Sequence, residues 1–86
     1  MIILPKGKKR EIEEMKIKDS KIFGDVVRQA RKKQGLTQTQ LAGIANTSPR
    51  LIGELERGKP TIQLEKALKI AWLLGINIET PEITND

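Results

Sequence analysis

The side chains in this sequence best suited to chemistry are its cations. Sixteen Lys and Arg stand against eleven Asp and Glu, a net charge of +5, and there is no Cys and no His. Without His or Cys the usual nucleophile–base pairs and zinc sites are excluded. Carboxylates alone would have to carry any catalysis, and no pair of them sits in an apolar setting. No enzyme activity, catalytic residue, metal or cofactor is therefore expected. What remains is ionic recognition. Residues 1–35 hold 11 Lys+Arg and 5 Asp+Glu, a balance of +6, whereas residues 36–86 hold 5 and 6, a balance of −1. A basic half on a small domain points to a polyanion partner. The competing reading is solvated lysine that serves only solubility.

The elements that must position these cations are legible from their punctuation. In TQTQLAGIANTSPRLIGELERGKP (37–60), Thr37 and Gln40 form a T-x-x-Q capping box, and Leu41, Ala42 and Ala45 face inward. Asn46 tolerates the left-handed conformation that ends a helix. Ser48 caps the next helix, Pro49 takes its first position, and Gly58 and Pro60 stop it. Ile52 and Leu55 are its inward pair. Each helix is too short to stand alone in water. Joined by a three-residue turn, they make a helix-turn-helix unit. A first helix should start at Asp19 or Ser20, bury Phe23, Val26, Val27 and Ala30, and stop at Gly35. Arg28, Arg31, Lys32 and Lys33 enrich its C-terminal half, where cations complement the helix dipole. A fourth should run from about Thr61 to Leu74, with Leu64, Ala67, Leu68, Ala71 and Leu74 inward.

In such a unit the N-terminal residues of the second helix meet base edges in the major groove of double-stranded DNA. Ser48, Pro49, Arg50, Leu51, Gly53 and Glu54 are the candidates. Arg50 fits guanine O6 and N7 bidentately, or else holds a phosphate. Gly53 costs roughly 1 kcal/mol in mid-helix relative to Ala, and a close approach to DNA would account for it. Leu51 meets a thymine methyl or is simply exposed. Glu54 either accepts from cytosine N4 or pairs with Arg50 at i+4. Gln38 lies in the first turn of its helix, where free N–H groups suit a phosphate. Thr37 has a sufficient capping role, so any DNA contact of its own is secondary. Lys32, Lys33 and Lys59 are phosphate candidates, with solvated lysine as the alternative for each.

GLTQTQLA, then Ser48-Pro49-Arg50-Leu51-Ile52, then LERGK, resembles the Xre/Cro (lambda-repressor-type) DNA-binding domain across roughly residues 20–75. MKIKDS before the first helix, and LERGKPTIQLEKALKI running on to LGINIE, resemble the HipB antitoxin branch. The resemblance implies an all-α, lambda-repressor-like four-helix domain with a short C-terminal strand at a dimer interface. It also implies a homodimer on a pseudo-palindromic operator that represses its own operon and binds a HipA-like kinase toxin. The alternatives are a phage-type repressor, a restriction-system controller, and a protein-interaction adaptor of the same fold without DNA binding. The family's internal ion pair maps onto Arg31 and Glu56. The sequence departs from the family at Asn46, commonly Gly, and at Thr47, commonly aliphatic. The second change leaves a slightly underfilled contact.

Ile70 and Leu73 fall off the inward stripe of the fourth helix, and Trp72 borders it. With Ile76 and Ile78 of the alternating stretch INIET, they form the expected dimer interface, at which the two INIET strands pair with each other, with MKI as a further candidate strand; the alternative is that the N-terminal extension folds over Ile70, Trp72 and Leu73. The chain divides into an extension expected to lie outside the folded domain (1–14), the helix-turn-helix and dimerisation domain (15–80) and an acidic tail (81–86). MKIKD (15–19) alternates like a short strand. MIILP has its charge after a short apolar run, the reverse of a signal peptide. No run approaches the ~18–20 apolar residues of a membrane span. A cytoplasmic location follows as the expectation.

Overall fold

The computed structural model describes residues 2–5 and 19–79. In chain order it contains β1 (Ile2–Pro5), α1 (Ser20–Lys33), α2 (Gln38–Ala45), α3 (Pro49–Glu56), α4 (Leu64–Leu73) and β2 (Ile76–Glu79). The class is all-α, with a two-stranded ribbon appended. Residues 15–18 of the expected MKIKD strand and the acidic tail 81–86 lie outside the described residues, as does 6–14 of the extension.

The capping chemistry reads directly onto the helix ends. Asp19 caps α1 by accepting from the Ile22 N–H at 2.9 Å. At α2 the box closes both ways: the Gln40 N–H donates to Thr37 Oγ1 at 3.0 Å, and the Thr37 N–H donates to Gln40 Oε1 at 2.9 Å. Asn46 sits at φ 57°, ψ 49° and ends α2, and Ser48 accepts from the Leu51 N–H to open α3. The turn between α2 and α3 is thus three residues, and their inward faces, Leu41, Ala42, Ala45, Ile52 and Leu55, share one core with Val26 and Val27.

Two glycines let α1 and α3 meet backbone to backbone. A Cβ on Gly24 would lie 2.4 Å from the Leu55 carbonyl oxygen and 2.7 Å from that of Glu56. Gly58, at φ +87°, would place a Cβ 2.7 Å from Lys21 Cα, so it serves both the left-handed turn and the contact. Ser20 Oγ donates to the Gly58 carbonyl at 2.7 Å and fastens the same corner.

The fourth helix departs from expectation. It begins at Leu64 rather than Thr61, because Ile62 first turns in against the core. Its buried face is Ala67, Ile70, Ala71 and Leu74, so Ile70, expected at a dimer interface, is instead 1% exposed inside the protomer. Leu64 and Leu68, expected inside, are outside. Both stripes obey helical spacing and share Ala67, Ala71 and Leu74. The choice falls on the stripe that adds Ile70 to these three and leaves Leu64 and Leu68 outside.

The terminal strand also departs. Rather than awaiting a second INIET, β2 pairs antiparallel with β1, Ile3 opposite Ile78 and Pro5 opposite Ile76. The extension therefore contributes residues 2–5 to the folded unit. An unpaired strand edge offers N–H and C=O groups that must find partners, and an apolar tetrapeptide in the same chain satisfies them without a second molecule. Ile76, another expected interface residue, is buried in the core. Thr47 lies half-buried at the rim of a cleft lined by Asn46, Gln63, Lys66, Lys69 and Ile70, at the contact expected to be underfilled.

Candidate nucleic-acid interface

Ser48, Pro49 and Arg50 form the exposed N-terminal end of α3, and the Arg50 side chain is 85% exposed. Its Nε donates to Glu54 Oε2 at 3.2 Å, the i,i+4 pair. Lys59 Nζ approaches Glu54 Oε1 at 3.4 Å. The hydrogen bond from Arg50, helped by Lys59, holds the Glu54 carboxyl below the usual carboxylate range. Of the two readings of Glu54, the pairing with Arg50 is the one present. Each carboxylate oxygen already faces one cation.

Behind this face lies a buried ion pair. Arg31 Nε donates to Glu56 Oε2 at 2.6 Å, and its Nη2 donates to Oε1 at 3.0 Å. Arg31 Nη1 donates to the Leu36 carbonyl at 2.8 Å, which fastens the loop that enters α2. The hydrogen bonds to Glu56 raise the Arg31 pKa, outweighing burial, which lowers it. Gln38 Nε2 also donates to Glu56 Oε1, at 3.1 Å. One carboxylate on α3 therefore ties down α1 and the first turn of α2 together. Bidentate geometry of this kind fixes orientation as well as energy. The two short helices are locked at one mutual angle, and the exposed end of α3 points one way.

A helix-turn-helix family model matches residues 27–80. The chain belongs to the Xre-type helix-turn-helix family. It is 44% identical over 64 residues, 74% of this chain and 84% of the relative, to the uncharacterized HTH-type transcriptional regulator y4mF of Sinorhizobium fredii. Among solved structures it is similar to the restriction-modification controller protein C.AhdI of Aeromonas hydrophila. That similarity has 34% identity and a TM-score of 0.59, covering 65% of this chain and 81% of that one. HipB in its O4 20mer complex overlays more of the chain, with a TM-score of 0.70 over 80% of this chain and 97% of that one. At 20% identity this is a likeness of fold.

Within this helix-turn-helix frame the sequence-derived residues sort into groups. Ser48, Pro49, Arg50, Lys32, Lys33 and Thr37 are all exposed, and Lys59 is exposed while paired. Leu51 is half-buried against the core, so it is not simply an exposed residue. Gln38 is half-buried with an amide N–H committed to Glu56, which makes it a brace as well as a phosphate candidate. Gly53 is buried on α3, and a Cβ there would meet two side-chain ends rather than backbone, Arg57 Nη1 at 3.3 Å and Gln38 Oε1 at 3.7 Å. Arg57 itself went unread in the sequence, as did the backbone contact at Gly24. The signal for Arg57 was its i+4 spacing from a mid-helix glycine.

Proposed function

We propose that this chain is a sequence-specific, DNA-binding transcriptional repressor that works as a homodimer. The observation that carries the reading is the exposed Ser48-Pro49-Arg50 end of α3, held at a fixed angle by the Arg31–Glu56–Gln38 lock. Base edges would be read from that end, while Lys32, Lys33 and the first turn of α2 hold phosphates. Affinity from the phosphates depends on salt, and discrimination from Arg50 does not. Binding of duplexes drawn from upstream of its own gene, titrated at several salt concentrations, tests this. Arg50→Ala should relax preference at one base position, with about 1–3 kcal/mol lost on the best site. Lys32→Ala should weaken all duplexes alike and flatten the salt slope by about one unit. Sequence discrimination unchanged in Arg50→Ala would remove that residue as the reader.

The dimer face is the outer side of α4. Leu64, Leu68 and Trp72 recur at i, i+4 and i+8 and are 69%, 40% and 77% exposed. Leu73 and Ile78 lie half-buried beside the core. Two such ridges packed about a two-fold axis would set two α3 helices about 34–36 Å apart, in successive major grooves of a pseudo-palindromic operator. Burial of each large aliphatic side chain is worth roughly 1.5–3 kcal/mol.

The physiological role we infer is that of an autoregulating antitoxin to a HipA-like kinase toxin. The likeness of fold to HipB over 80% of the chain supports it. Restriction-system control is the second reading, and the identity to C.AhdI favours it. Co-purification with the product of a neighbouring kinase-like gene separates them: a stable complex supports the antitoxin, and an adjacent methyltransferase or endonuclease gene supports the controller.

A further inference from the structure

Arg57 is the C-cap that follows α3, and its guanidinium does not extend outward from the helix end. It folds back one turn, over Gly53, so that Nη1 lies 3.3 Å and Cζ 3.9 Å from the point a Cβ at Gly53 would occupy. Long side chains on a helix lean toward its N-terminus, and the missing side chain at Gly53 gives this one a seat. Gln38 Oε1 faces the same seat at 3.7 Å, and the bond from Gln38 Nε2 to Glu56 sets which way that amide is turned. Arg50, Gly53 and Arg57 lie on one side of α3, by their i, i+3, i+7 spacing. The two arginines differ in company. Arg50 is bonded to Glu54, whereas none of the ion pairs among the described residues uses Arg57.

We propose that Arg57, folded back across Gly53 on the same side of α3 as Arg50, is a further specificity-determining residue that reads a guanine in the operator; this rests on the DNA-binding reading above. Folded back, the exposed guanidinium lies nearer the Arg50 end of α3 than its own Cα does, where guanine would offer it O6 and N7. An extended side chain at the same position would reach the backbone instead. Gly53 is then a specificity element because of what it leaves out.

Selection from a pool of randomised DNA duplexes, run with the full chain, tests the assignment. Wild type is expected to select a guanine at a position that Arg57→Ala no longer distinguishes, with about ten- to a hundredfold weaker binding to the wild-type best site. Arg57→Lys keeps the charge without the fork, so it should keep the salt slope and lose the same guanine. Gly53→Ala displaces the seated guanidinium and should also relax that position, while its thermal midpoint holds or rises because Ala is the better helix former. That combination of lost selectivity and undiminished stability is one a purely structural role would not give. Uniform weakening of all duplexes by Arg57→Ala, or an unchanged selected sequence, would overturn the proposal. A wild-type chain that selects no duplex would overturn the DNA-binding reading itself.

Discussion

Replacing Arg31 with Met, a side chain of similar length without charge, tests the lock behind the recognition face. The guanidinium makes three hydrogen bonds, two to Glu56 and one to the Leu36 carbonyl. The side chains of Arg31 and Glu56 are only 9% and 3% exposed, so water cannot replace what is lost. Stranding one partner of a buried pair costs about 3–5 kcal/mol. A chain of 86 residues has roughly 4–13 kcal/mol of total stability, so Arg31→Met should consume about half of it. At about 4–8 °C per kcal/mol for a domain of this size, the thermal midpoint should fall by roughly 12–40 °C. The double variant Arg31→Met, Glu56→Leu removes both charges together and should recover most of the loss, because an apolar replacement of a buried pair is commonly neutral or stabilising. Trp72 is too exposed to report on the core. Urea unfolding followed by far-ultraviolet circular dichroism, at one protein concentration, is the appropriate assay. A single variant within about 1 kcal/mol of wild type, or a double variant no better than the single, would refute the reasoning from burial.

Ile70→Ala should cost about 2–5 kcal/mol at any protein concentration, since Ile70 belongs to the core of one protomer; a loss that disappears on dilution would return it to the interface. Trp72→Glu should leave the folded protomer nearly as stable as before and shift sedimentation toward monomer, and an unchanged dimer would clear α4 from the interface. Gly24→Ala gains helix propensity yet drives a Cβ into the Leu55 carbonyl oxygen, so denaturation should show a net loss of about 1–3 kcal/mol. The depressed Glu54 pKa makes its ion pairs a stabilising contribution present above the ordinary carboxylate pKa and lost as pH falls through the folded value. A carboxyl NMR titration should place the Glu54 midpoint below that of an ordinary glutamate and move it up in Arg50→Ala, whereas a midpoint at the ordinary value would contradict the pairing.

The sequence by itself determined the elements and their junctions. Caps and stops act within four residues of one another, so Thr37 with Gln40, Asn46, Ser48-Pro49 and Gly58 could be read without knowing what they pack against. The recognition end of α3 followed from those junctions, because its place in a helix-turn-helix is fixed by order along the chain. The family resemblance placed the ion pair, and the tertiary structure gave it its third member, Gln38. Only tertiary structure decided which of two overlapping apolar stripes of α4 turns inward. Periodicity weighs both alike, and the folded chain buries Ile70 with Ala67 and Ala71 while leaving Leu64 and Leu68 outside. Only tertiary structure decided that the terminal strand finds Ile2–Pro5, since a strand edge specifies the need for a partner and says nothing of which partner answers it. Gly24 and Gly53 belong to the same class. A missing side chain records that something comes close: at Gly24 it is the α3 backbone, which no linear pattern shows, and at Gly53 it is Arg57, whose i+4 spacing is legible in the sequence but whose folded-back conformation is not.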